Sequence, residues 1–175
     1  MVTATGTAYD VAAATPDPEL PVVTVADLGI LRAVEVTAGG VVVTITPTYS
    51  GCPAMREIAA DVRHRLKRAG FDHVTVRTQL APPWSSDWIT SHGRRKLAAA
   101  GIAPPPDSPP TSPARSAAPR RTGPIPLTLG PPASPPCPHC GSPRTRRTAG
   151  FGATACRSLH RCEECREPFE AVKTL

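Results

Sequence analysis

The stretch VVVTITPTYSGCPAMREIAADVRHRLKRAG, residues 41–70, decides the fold, because its hydrophobic period changes from two to 3.6 partway along. Val41, Val43 and Ile45 alternate with Val42, Thr44 and Thr46, giving a strand with one wholly apolar face and one mixed face. Pro53 then suits a first helical position, where its missing N–H costs nothing. Met55, Ile58, Ala59, Val62 and Leu66 follow at helical spacing, with Arg56, Asp61, Arg63, Lys67 and Arg68 on the remaining surface. Gly70 is a good C-terminal stop. Cys52 sits at the joint between the two periods. Placed at the N-cap, it would face the unpaired N–H groups of the first turn. Those groups and the helix dipole favour a thiolate, so its pKa should fall below the free value of about 8.5. Gly51 leaves the approach open, and Thr46, Thr48 and Ser50 could donate hydrogen bonds to the sulfur. A small apolar cap on the core is the competing reading, since free cysteine is often that.

Strands flank this unit on both sides. LGILRAVEV precedes it, joined through a Gly39-Gly40 turn as in a hairpin. HVTVRTQL follows it and closes a strand–helix–strand crossover that should be right-handed. TAYDVAAAT near the start is a weak helix that must stop before Pro16. WSSDWITSHGRRKLAAAGI reads as a final helix with Ser85 or Ser86 as its cap and Trp84 and Trp88 as a packing pair. Residues 1–102 therefore form a small α/β domain with the order α-β-β-α-β before that last helix.

Beyond it the composition shifts. Residues 103–136 hold thirteen prolines in 34 positions, too many for a packed core, and are expected to be a disordered linker between two independently moving parts. Residues 1–102 carry ten Lys/Arg against nine Asp/Glu, whereas residues 103–175 carry ten against five, so most of the net charge of +6 lies in the back part. The N-terminus has neither a basic region nor an apolar run, and no stretch approaches the roughly 20 apolar residues of a membrane-spanning helix. A cytoplasmic protein with no membrane partner is expected, with cysteines as thiols or metal ligands rather than disulfides.

The remaining five cysteines lie beyond residue 136. Cys137 and Cys140 form one CxxC knuckle, and Cys162 and Cys165 form a second after 21 further residues. Two intervening residues let both sulfurs of a knuckle reach one metal, and two knuckles complete a tetrahedral shell. Residues 137–175 contain little apolar material beyond Phe151, Leu159, Phe169 and Val172, so a structural Zn²⁺ is expected to hold them together. Cys156 reads as a buried or spare thiol, and His139 and His160 as bystanders, because four sulfurs close the site. Arg144, Arg146, Arg147, Arg157 and Arg161 could contact phosphates or simply offset the negative zinc tetrathiolate.

DPELPVVTVADLGILRAVEV (17–36) and VVVTITPTYSGCPAMREIAADV (41–62) resemble the metal–sulfur cluster assembly factor family, which has a small α/β fold. The matching features are Asp17-Pro18-Glu19, Val25-Ala26-Asp27-Leu28-Gly29 and Cys52-Pro53. Asp17, Glu19 and Asp27 could be caps on turns as readily as ligands or bases, and the resemblance favours a functional surface near Cys52. The longer context is similar to the D-subunit family of bacterial phenylacetyl-CoA epoxidases: TPTYSGCPAM, APPWSSDWIT, GRRKLAAAGIAPP and the cysteine-rich tail. That family usually carries one more cysteine at the end, where this chain has Thr174-Leu175. The resemblance implies a non-catalytic subunit in aerobic phenylacetate degradation, assisting iron or iron–sulfur loading. Its implied partners are the reductase and the di-iron oxygenase components. HExxH, GxSxG, ExxH and Gly-rich phosphate motifs are missing, so an independent enzyme is the weaker class. Since one thiolate cannot hold a cluster, a homodimer or partner ligands would complete the shell. A docking subunit of the oxygenase and a nucleic-acid-binding zinc ribbon are the alternatives, the latter lacking an aromatic stacking platform.

Overall fold

The structure, a computed structural model, describes residues 4–106 and 134–174. The front part runs α1 (Ala4–Ala13), β1 (Leu31–Thr37), β2 (Gly40–Ile45), α2 (Ala54–Arg68), β3 (Val74–Thr78) and α3 (Ser91–Ala99). β2 is the central strand, antiparallel to β1 and parallel to β3. The pattern read over 41–70 is the pattern that packs. Val41, Val43 and Ile45 are buried on one face of β2, and Ile58, Val62 and Leu66 of α2 are buried in the same core. Each of these larger side chains contributes about 1.5–3 kcal/mol by leaving water. Gly40, at φ 121°, turns the hairpin where a Cβ would lie 2.2 Å from the His73 carbonyl oxygen.

The expected final helix is broken in two. Ser85 caps only a single 3₁₀ turn, Ser86–Trp88, and the cap of α3 is Thr90, whose hydroxyl accepts from Gly93 N. Extended geometry at Ile89 and Thr90 separates the two pieces. Trp84 is buried and donates its Nε1–H to the Leu28 carbonyl at 2.8 Å, while Trp88 lies beneath the Arg32 guanidinium.

The back part is a three-stranded antiparallel sheet of β5 (Thr145–Ala149), β6 (Arg157–Cys162) and β7 (Pro168–Val172). A further strand, β4 (Ile102–Ala103), follows α3 and pairs in parallel with β7. The two parts, expected to move independently, are in contact here. Ala103, expected to begin the linker, is buried in the ribbon's core with Cys137, Cys162, Phe169 and Ala171. Val172 belongs to the core of the front domain. His139 packs against Gly101, and an Arg157 Nη2 donates to the Glu19 carbonyl at 3.5 Å. The physical reason is the poverty of the ribbon's own core: Phe151 and Leu159 are exposed, so the ribbon buries its remaining apolar surface against its neighbour. Residues 107–133, most of the expected linker, lie outside the described residues. Among the described residues no helix is long and apolar enough to cross a membrane.

Candidate functional site

The chain carries two groups of cysteines with different surroundings. In the ribbon, Cys137, Cys140, Cys162 and Cys165 bring their sulfurs within 4.8 Å of one another, the one such set of metal donors among the described residues. Cys137 Sγ and Cys165 Sγ are 3.7 Å apart, and Cys140 Sγ and Cys162 Sγ are 3.6 Å apart. A tetrahedral zinc with Zn–S bonds of ~2.3 Å would place its sulfurs ~3.8 Å apart. A disulfide would need about 2.05 Å, and all four cysteines are free. The donor set and spacing fit zinc.

The two knuckles have the same backbone design. Cys137 N donates to Ser142 O and Cys162 N to Glu167 O, each five residues on. Four residues after each of these cysteines the chain turns left-handed, at Gly141 (φ 74°) and at Arg166 (φ 66°). Neither histidine joins the set. His160 is buried, stacks on Phe169 and pairs through Nε2 with Ser158 Oγ at 2.9 Å, while burial and then Arg147 lower its pKa. The arginines divide: Arg144 pairs with Glu164 and Arg157 with Glu170, while Arg146, Arg161 and Arg166 line an open cleft with Glu163.

The second group surrounds Cys52. A cavity of about 20 Å³ open to the centre of a water-sized sphere, room for one water or ion, lies between the two parts of the chain. Asp17, Glu19, Thr48 and Cys52 line it from the front domain, with Trp84 behind, and Cys156 lines it from the ribbon. The DPELP turn presents its acids by folding on itself: Asp17 Oδ1 accepts from Glu19 N at 2.9 Å and Leu20 N at 2.8 Å. Thr46 is not part of this lining; it is buried and its hydroxyl has no hydrogen-bond partner. Ser50 is exposed. Asp27 also lies elsewhere. Its carboxylate accepts from Thr24 N at 3.1 Å and from Lys96 Nζ at 2.8 Å, tying the loop before β1 to α3.

Cys52 stands one residue before the position expected. Pro53 takes the capping place of α2 and makes no side-chain cap bond. The amides of Ala54 and Met55 still face the Cys52 sulfur, yet its pKa is raised rather than lowered. Burial is the largest cause, opposed by those amides and reinforced by the Glu19 and Asp17 carboxylates. Burial likewise raises Asp17 and Cys156. The thiolate expected from the helix end is thus a protonated thiol in this cavity, because desolvation outweighs the helix end. A cation placed among these groups would favour their ionised forms.

Two residues of this site carry no signal in the sequence pattern. Cys156 reads as a spare thiol until β6 docks, and then its sulfur lies 3.8 Å from Glu19 Oε2. Tyr49 reaches Cys52 with its hydroxyl; its pKa is raised by burial first, then by the charges of Cys52, Glu19 and Cys156.

Fold and cysteines together define a class: a small iron–sulfur cluster assembly domain bearing a zinc ribbon. The iron–sulfur cluster assembly protein family matches residues 14–77, and the PaaD zinc β-ribbon domain matches residues 122–173. A Bacillus anthracis crystal structure of a domain of unknown function, DUF59, shares the front fold with a TM-score of 0.50. It is 28% identical, over 53% of this chain and 90% of that one. An Fe–S protein maturation auxiliary factor of Porphyromonas gingivalis (strain ATCC BAA-308 / W83) is 37% identical over 83 residues, covering 46% of this chain and 78% of the relative. A match over most of the chain is to an Escherichia coli (strain K12) protein provisionally assigned as the D subunit of 1,2-phenylacetyl-CoA epoxidase. It is 39% identical over 160 residues, which span 91% of this chain and 87% of that protein. The chain belongs to the family of these epoxidase D subunits. The relationships support an accessory role in iron–sulfur assembly.

Proposed function

We propose that this protein is a non-catalytic maturation subunit that delivers iron, or an iron–sulfur cluster, to the reductase or oxygenase component of a phenylacetyl-CoA epoxidase. The observation that carries this reading is the placement of Cys52 in a cavity with Asp17 and Glu19, on a domain whose relatives are iron–sulfur assembly proteins. A half-buried thiol beside carboxylates is a donor that binds soft or borderline cations once deprotonated, and one chain's donors leave positions open for a recipient. The ribbon's four cysteines hold zinc, which keeps that part folded. Partner ligands, or a second copy of the chain, complete the shell during transfer. The protein works in the cytoplasm alongside the epoxidase components.

The test is to produce the epoxidase reductase and oxygenase with the wild-type chain, without it, and with Cys52→Ala. Iron and labile sulfide in the partners should fall about as far with Cys52→Ala as with no chain, while the variant's fold and zinc content stay unchanged. Fully loaded, fully active partners alongside Cys52→Ala would sink the proposal. Cys52 is then a packing residue.

A further inference from the structure

Cys156 is the ribbon thiol that neither the zinc shell nor the ribbon core uses. It lies in the turn immediately before β6, half-buried, and is free. Packing does not explain it. The ribbon core consists of Ala103, Cys137, Cys162, Phe169 and Ala171, and the partly buried apolar residues on the front core include Cys52 but not Cys156. The neighbours of its sulfur are polar: Thr154 Oγ1 at 3.1 Å and Glu19 Oε2 at 3.8 Å.

The turn that carries it is held from several directions. Glu170 Oε1 accepts from Ala153 N at 2.7 Å, and Glu170 also pairs with Arg157. Arg157 Nε donates to Thr154 Oγ1 at 2.9 Å. Lys173 N donates to Cys156 O at 2.9 Å. These bonds fix Cys156 on the rim of the cavity that Cys52, Asp17 and Glu19 line from the other side. Two thiols and two carboxylates, from segments more than a hundred residues apart, thus surround a space the size of one ion.

We propose that Cys156 and Cys52, with Glu19, form a second metal site across the two parts of the chain, for a single Fe²⁺ or a similar borderline divalent ion. This rests on the metal-delivery reading of Cys52 and assigns the ribbon a share in it. Thiolate sulfur with carboxylate oxygen suits Fe²⁺ and Zn²⁺ and excludes Mg²⁺ and Ca²⁺, which take oxygen alone. Binding releases the two S–H protons to solvent and moves no electrons. The donors surround the cavity without meeting at one point, since they do not form a set within 4.8 Å as the ribbon cysteines do. Closure around the ion is therefore part of binding, and the shell keeps a position for a recipient's ligand, as an open site does.

The experiment uses the zinc-loaded full chain under anaerobic conditions, titrated with Co²⁺ as an optical stand-in for Fe²⁺ and then with Fe²⁺ itself. Wild type should take up one Co²⁺ beyond its zinc, with thiolate-to-cobalt charge-transfer absorption. Cys156→Ser keeps a hydroxyl beside Thr154 and should halve that absorption and weaken binding more than about tenfold. Cys52→Ser should do the same, and the double variant should abolish the band. Retained zinc and an unchanged circular dichroism spectrum establish that each variant is folded. If Cys52→Ser removes the band and Cys156→Ser leaves it whole, the shared site is wrong and delivery through Cys52 stands. If neither changes it, or wild type takes up no second ion, the shared site is overturned. Should Cys156→Ser fail to fold, Glu19→Gln tests the same shell from the front domain. It should weaken Co²⁺ binding and leave the two-thiolate band, and unchanged affinity would remove Glu19 from the site and overturn it.

Discussion

The ribbon's four-sulfur centre and the cavity at Cys52 hold cysteine sulfur in opposite geometries. In the ribbon, four sulfurs stand within 4.8 Å of one another, and matched backbone turns aim them at one point. At the cavity, two sulfurs and two carboxylates surround a space without converging, and the groups are supplied by segments that meet only through docking. A closed shell binds a metal to keep a fold. On the delivery proposal, an open one leaves a position for a recipient's ligand, which a closed shell does not.

The largest expected effect strikes the closed centre. Structural zinc in so small a unit supplies on the order of 10 kcal/mol of folding free energy, so Cys162→Ser should unfold residues 137–174. The front domain should stay folded but lose β4 pairing and the Val172 contact, and alkylation of Cys52 should speed up as its ribbon wall departs. A ribbon that stays ordered in strong chelator would erase the contrast between the centres.

A smaller effect tests the bridge between the two parts. Arg157 is almost fully buried between Glu170, Thr154 and the Glu19 carbonyl. Arg157→Ala leaves Glu170 without its cation and should cost about 3 kcal/mol in chemical denaturation. It should also loosen the Cys156 turn. A loss below about 1 kcal/mol would show that this contact holds little of the docking.

pH should separate the structural acid from the cavity acid. Burial works against the Asp27 carboxylate, but Lys96 and Thr24 hold its pKa below the ordinary value of about 3.9. Its stabilisation is therefore present above that value and lost as pH falls through the folded pKa. Asp27→Asn should cost about 1–2 kcal/mol at pH 7, and the difference from wild type should shrink in acid. Asp17 has the opposite sign, because burial raises its folded pKa. Its favourable contribution is complete below the unfolded value and is lost as pH rises through the folded pKa, so Asp17→Asn should be neutral or stabilising at pH 7. Equal losses from both variants at pH 7 would contradict this division.

The smallest effect lies within the ribbon itself. Arg166 holds the left-handed position that glycine takes in the first knuckle. Arg166→Gly should raise the ribbon's stability by about 1 kcal/mol in a thermal melt, and a loss would mean the arginine side chain outweighs its backbone strain.

Much of this is legible in the residues. The change of period across 41–70 fixes β2 and α2 because both elements pack one face of a single core, and the paired CxxC spacing fixes the four-sulfur set because ligand reach is local. The cavity is only half legible. Asp17, Glu19 and Cys52 stand in readable turns, but Cys156 joins them through docking across more than a hundred residues, which no local pattern encodes. β4 is two residues long and has no periodicity to read. The raised pKa of Cys52 runs against its local sequence for a related reason: the helix end is written next to it, whereas burial depends on a cavity whose walls include residues far away in the chain, such as Trp84 and Cys156.

The most direct measurement is a chelator challenge of anaerobic chain loaded with one zinc and one Fe²⁺, following each metal separately. Iron should leave promptly, and sooner still when an epoxidase component is the acceptor, while zinc stays bound and the ribbon stays folded. If iron and zinc leave together, or iron never binds, the chain has no transit site distinct from its structural one.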